Sequence, residues 1–128
     1  MGLRIYIIDT RDSIAQSLAI FFEDLGHEVS TADELDGCPH FCSEGPCCHR
    51  HLLCADVFIV GQHLRRIRGI DFLERLARSE CKSLVTTSAL LCLPWSDTDR
   101  RRAEALGSRY FETPLRLDDL RNWLKSLE

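Results

Sequence analysis

The sequence predicts a doubly wound α/β domain, with a parallel sheet at its centre and helices on both faces. Short apolar, β-branched runs alternate with stretches of helical periodicity, an alternation that parallel strands require because their crossovers are usually helical. Glycines stand where the helical stretches end, as at Gly26 and Gly107. The chain has 128 residues and a mass of 14.7 kDa, which suits a single core spanning residues 1–128.

The elements follow in order. Leu3–Ile8 reads as a buried strand ending at Asp9, and Ser13–Leu25 as a helix, with Ile14, Leu18, Phe21, Phe22 and Leu25 on one side. His27–Ala32 reads as a second strand. The helix expected next is missing, because two glycines and two prolines fall within Gly37–Pro46 and forbid a long regular helix. A compact loop over 37–54 is expected instead. Ala55–Val60 is a third strand, ending at Gly61, and Ile70–Ala77 a helix. Leu84–Thr87 is read as the fourth strand. Ser96 is a candidate N-cap for a helix running to Gly107, with Asp97 and Asp99 in its first turn. Arg109–Phe111 makes a fifth strand and Leu117–Leu127 a final amphipathic helix. Five such strands suit the flavodoxin-like order 2-1-3-4-5.

Composition excludes several classes. The chain is 45% hydrophobic and 28% charged, ordinary for a folded domain and unlike a disordered or fibrous one. A net charge of -4 argues against a generic nucleic-acid binder. Apolar runs such as Ile5–Ile8 fall far short of the roughly 20 residues that cross a bilayer, and Met1–Ile8 lacks the pattern of a secretory leader. A cytoplasmic location is therefore expected. There is no phosphate-binding glycine fingerprint, nucleophile elbow or HExxH motif, and no enzymatic activity is expected.

Several short pieces, in this order, resemble the receiver domain of two-component response regulators: Ile-Ile-Asp9, Leu-Gly-His-Glu-Val around Gly26, Ala-Asp-Val-Phe-Ile-Val before Gly61, Gly69-Ile-Asp-Phe-Leu, and Tyr-Phe-Glu-Thr-Pro-Leu around Pro114. The resemblance covers nearly the whole chain outside 37–54. It implies a pocket with two acids after strand one, a phosphoacceptor aspartate after strand three, a Ser/Thr after strand four and a lysine before the last proline. The acids would hold Mg2+, and the hydroxyl and ammonium groups would bind phosphoryl oxygens. Asp9 matches the first acid, but Thr10 replaces the second, Gly61 the acceptor and Thr113 the lysine, while Thr86 or Thr87 is assigned the hydroxyl. Glycine has no nucleophile. The expectation is a pseudo-receiver that neither binds Mg2+ nor accepts phosphate at this position. Asp12 as a substitute acid and His63 as a substitute acceptor are set below their ordinary readings as polar loop residues. Asp9 itself is also explained by capping or hydrogen bonding in its turn.

The departure from the family pattern is rich in sulfur. Eight of the seventeen residues from Cys38 to Cys54 are Cys or His. Thiolate and imidazole are ligands for Zn2+, and structural disulfides are rare in a reducing compartment. Cys54 and Cys81, read as lying at the starts of the neighbouring strands three and four, would meet at the N-terminal edge of the sheet. With Cys38 and one of Cys47 or Cys48 they compose the preferred tetrahedral zinc centre, whose role would be structural. His40, Cys42, His49 and His51 are held in reserve, and Cys92 is read as unrelated. A four-Cys iron–sulfur cluster, a disulfide, and buried thiols without metal are the alternatives. A metal or redox sensor built on the same scaffold is the competing functional reading.

The resemblance also implies a protein partner, a histidine kinase or an output protein, docking through the last strand and its flanking helices, with a second copy of the chain as another candidate. Arg65, Arg66 and Arg68 and the run Arg100, Arg101, Arg102 border that face. Three consecutive helical residues cannot all point one way, so the run is read as a solvated face.

Overall fold

The computed structural model describes residues 2–32, 55–61, 63–64, 67–78, 85–92, 97–112 and 116–127. Among them the elements are β1 (Arg4–Ile8), α1 (Asp12–Asp24), β2 (Glu28–Ala32), β3 (Val57–Gly61), α2 (Gly69–Leu76), β4 (Ser88–Cys92), α3 (Asp97–Leu106), β5 (Arg109–Glu112) and α4 (Leu117–Leu127). The five strands are parallel and ordered β2-β1-β3-β4-β5, the flavodoxin-like order. No helix among the described residues is long and apolar enough to cross a membrane.

Strand residues alternate between two cores, as the two-residue period of a pleated strand dictates. Ile5, Ile7, Val57, Ile59, Ala89 and Leu91 face one way and pack with Ala15, Leu18 and Phe22 of α1 and Leu120, Trp123 and Leu124 of α4. Ile8, Phe58, Val60 and Leu90 face the other way, with Ile70, Phe72, Leu73 and Leu76 of α2 and Ala103 of α3. β3 is buried at all five positions, which is why it reads as an unbroken apolar run.

The fourth strand requires a correction. Leu84–Thr87 is not β4; the strand is Ser88–Cys92, and Val85–Thr87 form the turn before it. Burial overrides β-propensity here. Ser88, Ala89, Leu90 and Leu91 are each fully buried, whereas Thr86 is exposed. Ser88 is tolerated inside because its Oγ donates to the Val85 carbonyl at 2.6 Å and lies 2.9 Å from Ser108 Oγ.

Two glycines set the edge strands. Gly26 and Gly107 have φ of 96° and 78°, conformations that favour glycine. After each, the next amide reaches back to the helix, from His27 N to Phe22 O and from Ser108 N to Ala103 O, both at 3.1 Å. β2 and β5 begin at the following residue.

At the N-terminal end of β1 and β3, the Arg4 amide and guanidinium donate to the Asp56 carboxylate, the amide at 2.9 Å and Nη2 at 3.2 Å. The side-chain hydrogen bond from Arg4, reinforced by its amide, holds the Asp56 carboxyl below its ordinary range. A carboxylate with a depressed folded pKa stabilises the native state above its unfolded pKa, near 3.9, and loses that contribution as pH falls through the folded value. Asp56→Asn is therefore expected to flatten the stability profile below about pH 4, read as the urea midpoint against pH. Both side chains are about 40% exposed, so the effect is small.

Candidate functional site

The C-terminal ends of β1 and β3 lie side by side. Ile8 pairs with Val60, so the next residues, Asp9 and Gly61, are neighbours across the strand pair. Asp9 is only 2% exposed. A buried carboxylate needs compensating donors, and Arg11 supplies them. Its amide donates to Oδ1 at 2.8 Å, its Nε to the same oxygen at 3.1 Å, and its Nη2 to Oδ2 at 2.9 Å. Arg11 is also the N-cap residue of α1, so a single residue starts the helix and neutralises the buried acid.

Gly61 makes this arrangement possible. A Cβ at position 61 would lie 2.8 Å from both Cγ and Oδ2 of Asp9, and 3.2 Å from Oδ1. The Asp9 carboxylate thus lies against the place where any side chain at position 61 would start. Gly69, the first residue of α2, is equally confined, since a Cβ there would fall 2.5 Å from the Gly61 carbonyl oxygen. The floor of the pocket is close-packed backbone, and its occupant is the chain's own Asp9–Arg11 pair.

Thr10 ties two loops together. Its Oγ1 donates to the His63 carbonyl at 3.1 Å, tying the loop after β1 to the loop after β3. His63 is exposed and bridges antiparallel to Arg68, and Asp12 is exposed in the first turn of α1, the ordinary placement for a helix-start acid. Mg2+ does not fit this donor set. A hard divalent cation wants several oxygens, while among the described residues Asp9 has both oxygens engaged by a guanidinium and the neutral hydroxyl of Thr10 next in the chain.

The assignment of a phosphate-binding hydroxyl to Thr86 or Thr87 is overturned. Both precede β4, and Thr87 accepts from Phe58 N through its carbonyl at 3.3 Å. Four residues at about 3.3 Å each separate Thr87 from Leu91, which is level with Gly61, so both threonines stand roughly 13 Å or more from the Asp9 end of the sheet. The residue of β4 beside Gly61 is Leu91, which offers no hydroxyl. Thr113 lies outside the described residues.

Cys38, Cys47, Cys48, Cys54 and Cys81, together with His40, Cys42, His49 and His51, also lie outside the described residues. The shift of β4 bears on one of them. Cys81 precedes Ser88, the first residue of β4, by seven residues, rather than by the three that separate it from a strand starting at Leu84. Arg11 is the residue that sequence reasoning missed. Its signal was the arginine two places after Asp9, a spacing that gains meaning only once the turn is known.

The chain matches no protein-family model and no curated protein. Among solved structures it is similar to a response regulator receiver protein from Pseudomonas putida, at 12% identity over 98% of each chain and a TM-score of 0.80. It is also similar to the signal receiver domain of a DNA-binding response regulator from Colwellia psychrerythraea, at 19% identity over 98% of each chain and a TM-score of 0.79. Chemotaxis protein CheY4 of Vibrio cholerae matches at 18% identity over 100% of each chain, with a TM-score of 0.75. The fold is that of receiver domains.

Proposed function

We propose that this chain is a two-component-type signalling module that works as a pseudo-receiver, recognising a protein partner without being phosphorylated at the usual position and without catalysing a reaction. The observation that carries the reading is the Asp9–Arg11 ion pair seated over Gly61. In that arrangement an internal guanidinium takes the electrostatic role of a metal ion, and a backbone position without a side chain takes the place of the nucleophile. The partner is a kinase or an output protein that reads the surface of the domain in one fixed state.

The test is a titration of the protein with beryllofluoride and with acetyl phosphate, with and without Mg2+, followed by amide NMR. No saturable, Mg2+-dependent shift is expected at Asp9–Arg11 or Gly61, and no mass increase by acetyl phosphate. A Mg2+-dependent shift centred on Asp9 would overturn the reading.

A structural zinc ion belongs to the same reading, on the strength of the thiol density of 38–54. Its ligands would be thiolates drawn from Cys38, Cys47 or Cys48, Cys54 and Cys81. Elemental analysis of freshly purified protein is expected to give about one zinc per chain, with chelation unfolding the domain. Iron in its place would indicate a cluster, and metal lost reversibly from a folded domain would indicate a sensor. Seven freely reactive thiols without metal would remove this part of the proposal.

A further inference from the structure

α3 is attached to the domain differently from the other helices. Of its ten residues only Asp99 and Ala103 are buried, whereas α2 buries five of eight, among them Ile70, Phe72, Leu73 and Leu76. One alanine methyl, helped by half-buried Leu106, is a thin apolar anchor for three turns of helix. Along α3, facing Glu74 of α2, runs an open groove of about 300 Å³ lined by Glu74, Thr98, Arg101, Arg102, Ala105 and Leu106.

Charge supplies what apolar contact does not. The two helices exchange arginines: Arg68, at the N-cap of α2, donates to Asp99 in the first turn of α3, and Arg102 of α3 donates back to Asp71 and Glu74 of α2. Arg102 Nη1 also lies 3.8 Å from Asp99 Oδ1, so the buried acid stands between two guanidinium groups. On the other side Arg100 donates to Glu112 of β5, and the Tyr110 hydroxyl donates to Glu104 at 3.1 Å. The Arg68 side chain is 50% exposed and that of Arg102 27%, within reach of dissolved ions.

We infer that α3 is an electrostatically docked helix, one that separates from an otherwise folded domain when its arginine–carboxylate pairs are weakened. The loop that follows Gly61 has a direct hold on it. That loop is fastened to the β1–α1 turn by Thr10, bridges His63 to Arg68, and through Arg68 grips Asp99. A partner that engages this loop, or offers competing carboxylates to Arg68 and Arg102, would release α3. The inference does not depend on whether the domain accepts phosphate.

Native-state hydrogen exchange of the whole chain, in about 50 mM and about 1 M NaCl, tests it. Amides of 100–106 are expected to exchange about tenfold faster at high salt, with those of β1, β3 and α1 unchanged. Arg68→Ala is expected to produce the same local acceleration at low salt. Arg102→Met should do so more strongly; should that variant not fold, the salt response of the unaltered chain and the Arg68 variant decide. Uniform acceleration of all elements, or α3 protection that stays level with α1 under salt and in Arg68→Ala, would overturn the inference.

Discussion

Gly61→Asp, the substitution that places a carboxylate at the end of β3, is expected to destabilise the protein and leave it unphosphorylated. Its Cβ would fall 2.8 Å from the Asp9 carboxyl carbon, a separation that forces Asp9 out of its seat. Displacing Asp9 disrupts the three hydrogen bonds from Arg11 and brings a second carboxylate into the same buried space. Overpacking alone typically costs about 1–3 kcal/mol, and like charges in one site add to it. A total near 3 kcal/mol, or roughly 10 °C in Tm, is expected. Gly61→Ala isolates the steric part and is expected to cost about 2 kcal/mol. Asp9→Ala in the same chain should recover much of that loss, because the colliding group is gone. Urea denaturation of the two single variants and the double variant gives the coupling directly. Additive effects would show that Asp9 and Gly61 do not constrain each other.

Arg11→Met should cost about 2–3 kcal/mol, since it strips the charged donors from a carboxylate that is 2% exposed and leaves the acid paired only with a backbone amide. The Arg11 side chain is 38% exposed, which keeps the loss below that of a fully buried pair. Asp9→Asn combined with Arg11→Met should be more stable than Arg11→Met alone, because the uncompensated charge is removed. Equal stability of Arg11→Met and the unaltered protein, measured by urea midpoint, would show that the pair contributes nothing. Mg2+ affinity is expected only when Arg11 is removed and Thr10 and Gly61 both become Asp, since the present residues neutralise Asp9, tie two loops together and make room for the carboxylate.

The fold was largely legible because strands and helices here carry strong periodic signals. The unbroken run Val57–Val60 and the facing residues Leu120, Trp123 and Leu124 of α4 announce their burial directly. β4 was misplaced because Val85, Thr86 and Thr87 have higher β-propensity than Ser88–Leu91, and the deciding factor, burial on both faces, is a property of the assembled sheet. The candidate site was half legible. The tight seat of Asp9 against Gly61 is foreshadowed by a glycine closing an otherwise bulky apolar strand. Pairing of Asp9 with Arg11 depends on the backbone turn between them, and the role of Thr10 depends on the approach of the His63 carbonyl from another loop. Neither has a sequence pattern of its own. The cysteines of 38–54 are conspicuous in composition, but their grouping around a metal depends on where the chain carries them.

Both rims of the sheet are indexed by the helix that precedes them. Because β2 and β5 each start two residues after a left-handed glycine, at a joint closed back onto its helix, neither rim has slack with which to absorb an extra residue. A single insertion at either joint would turn the strand over by one pleat, moving half-buried Val29 to the outer surface and exposed Ser30 inward. Tags, linkers and grafted sequences therefore belong away from these two corners, which act as the alignment marks of the whole domain.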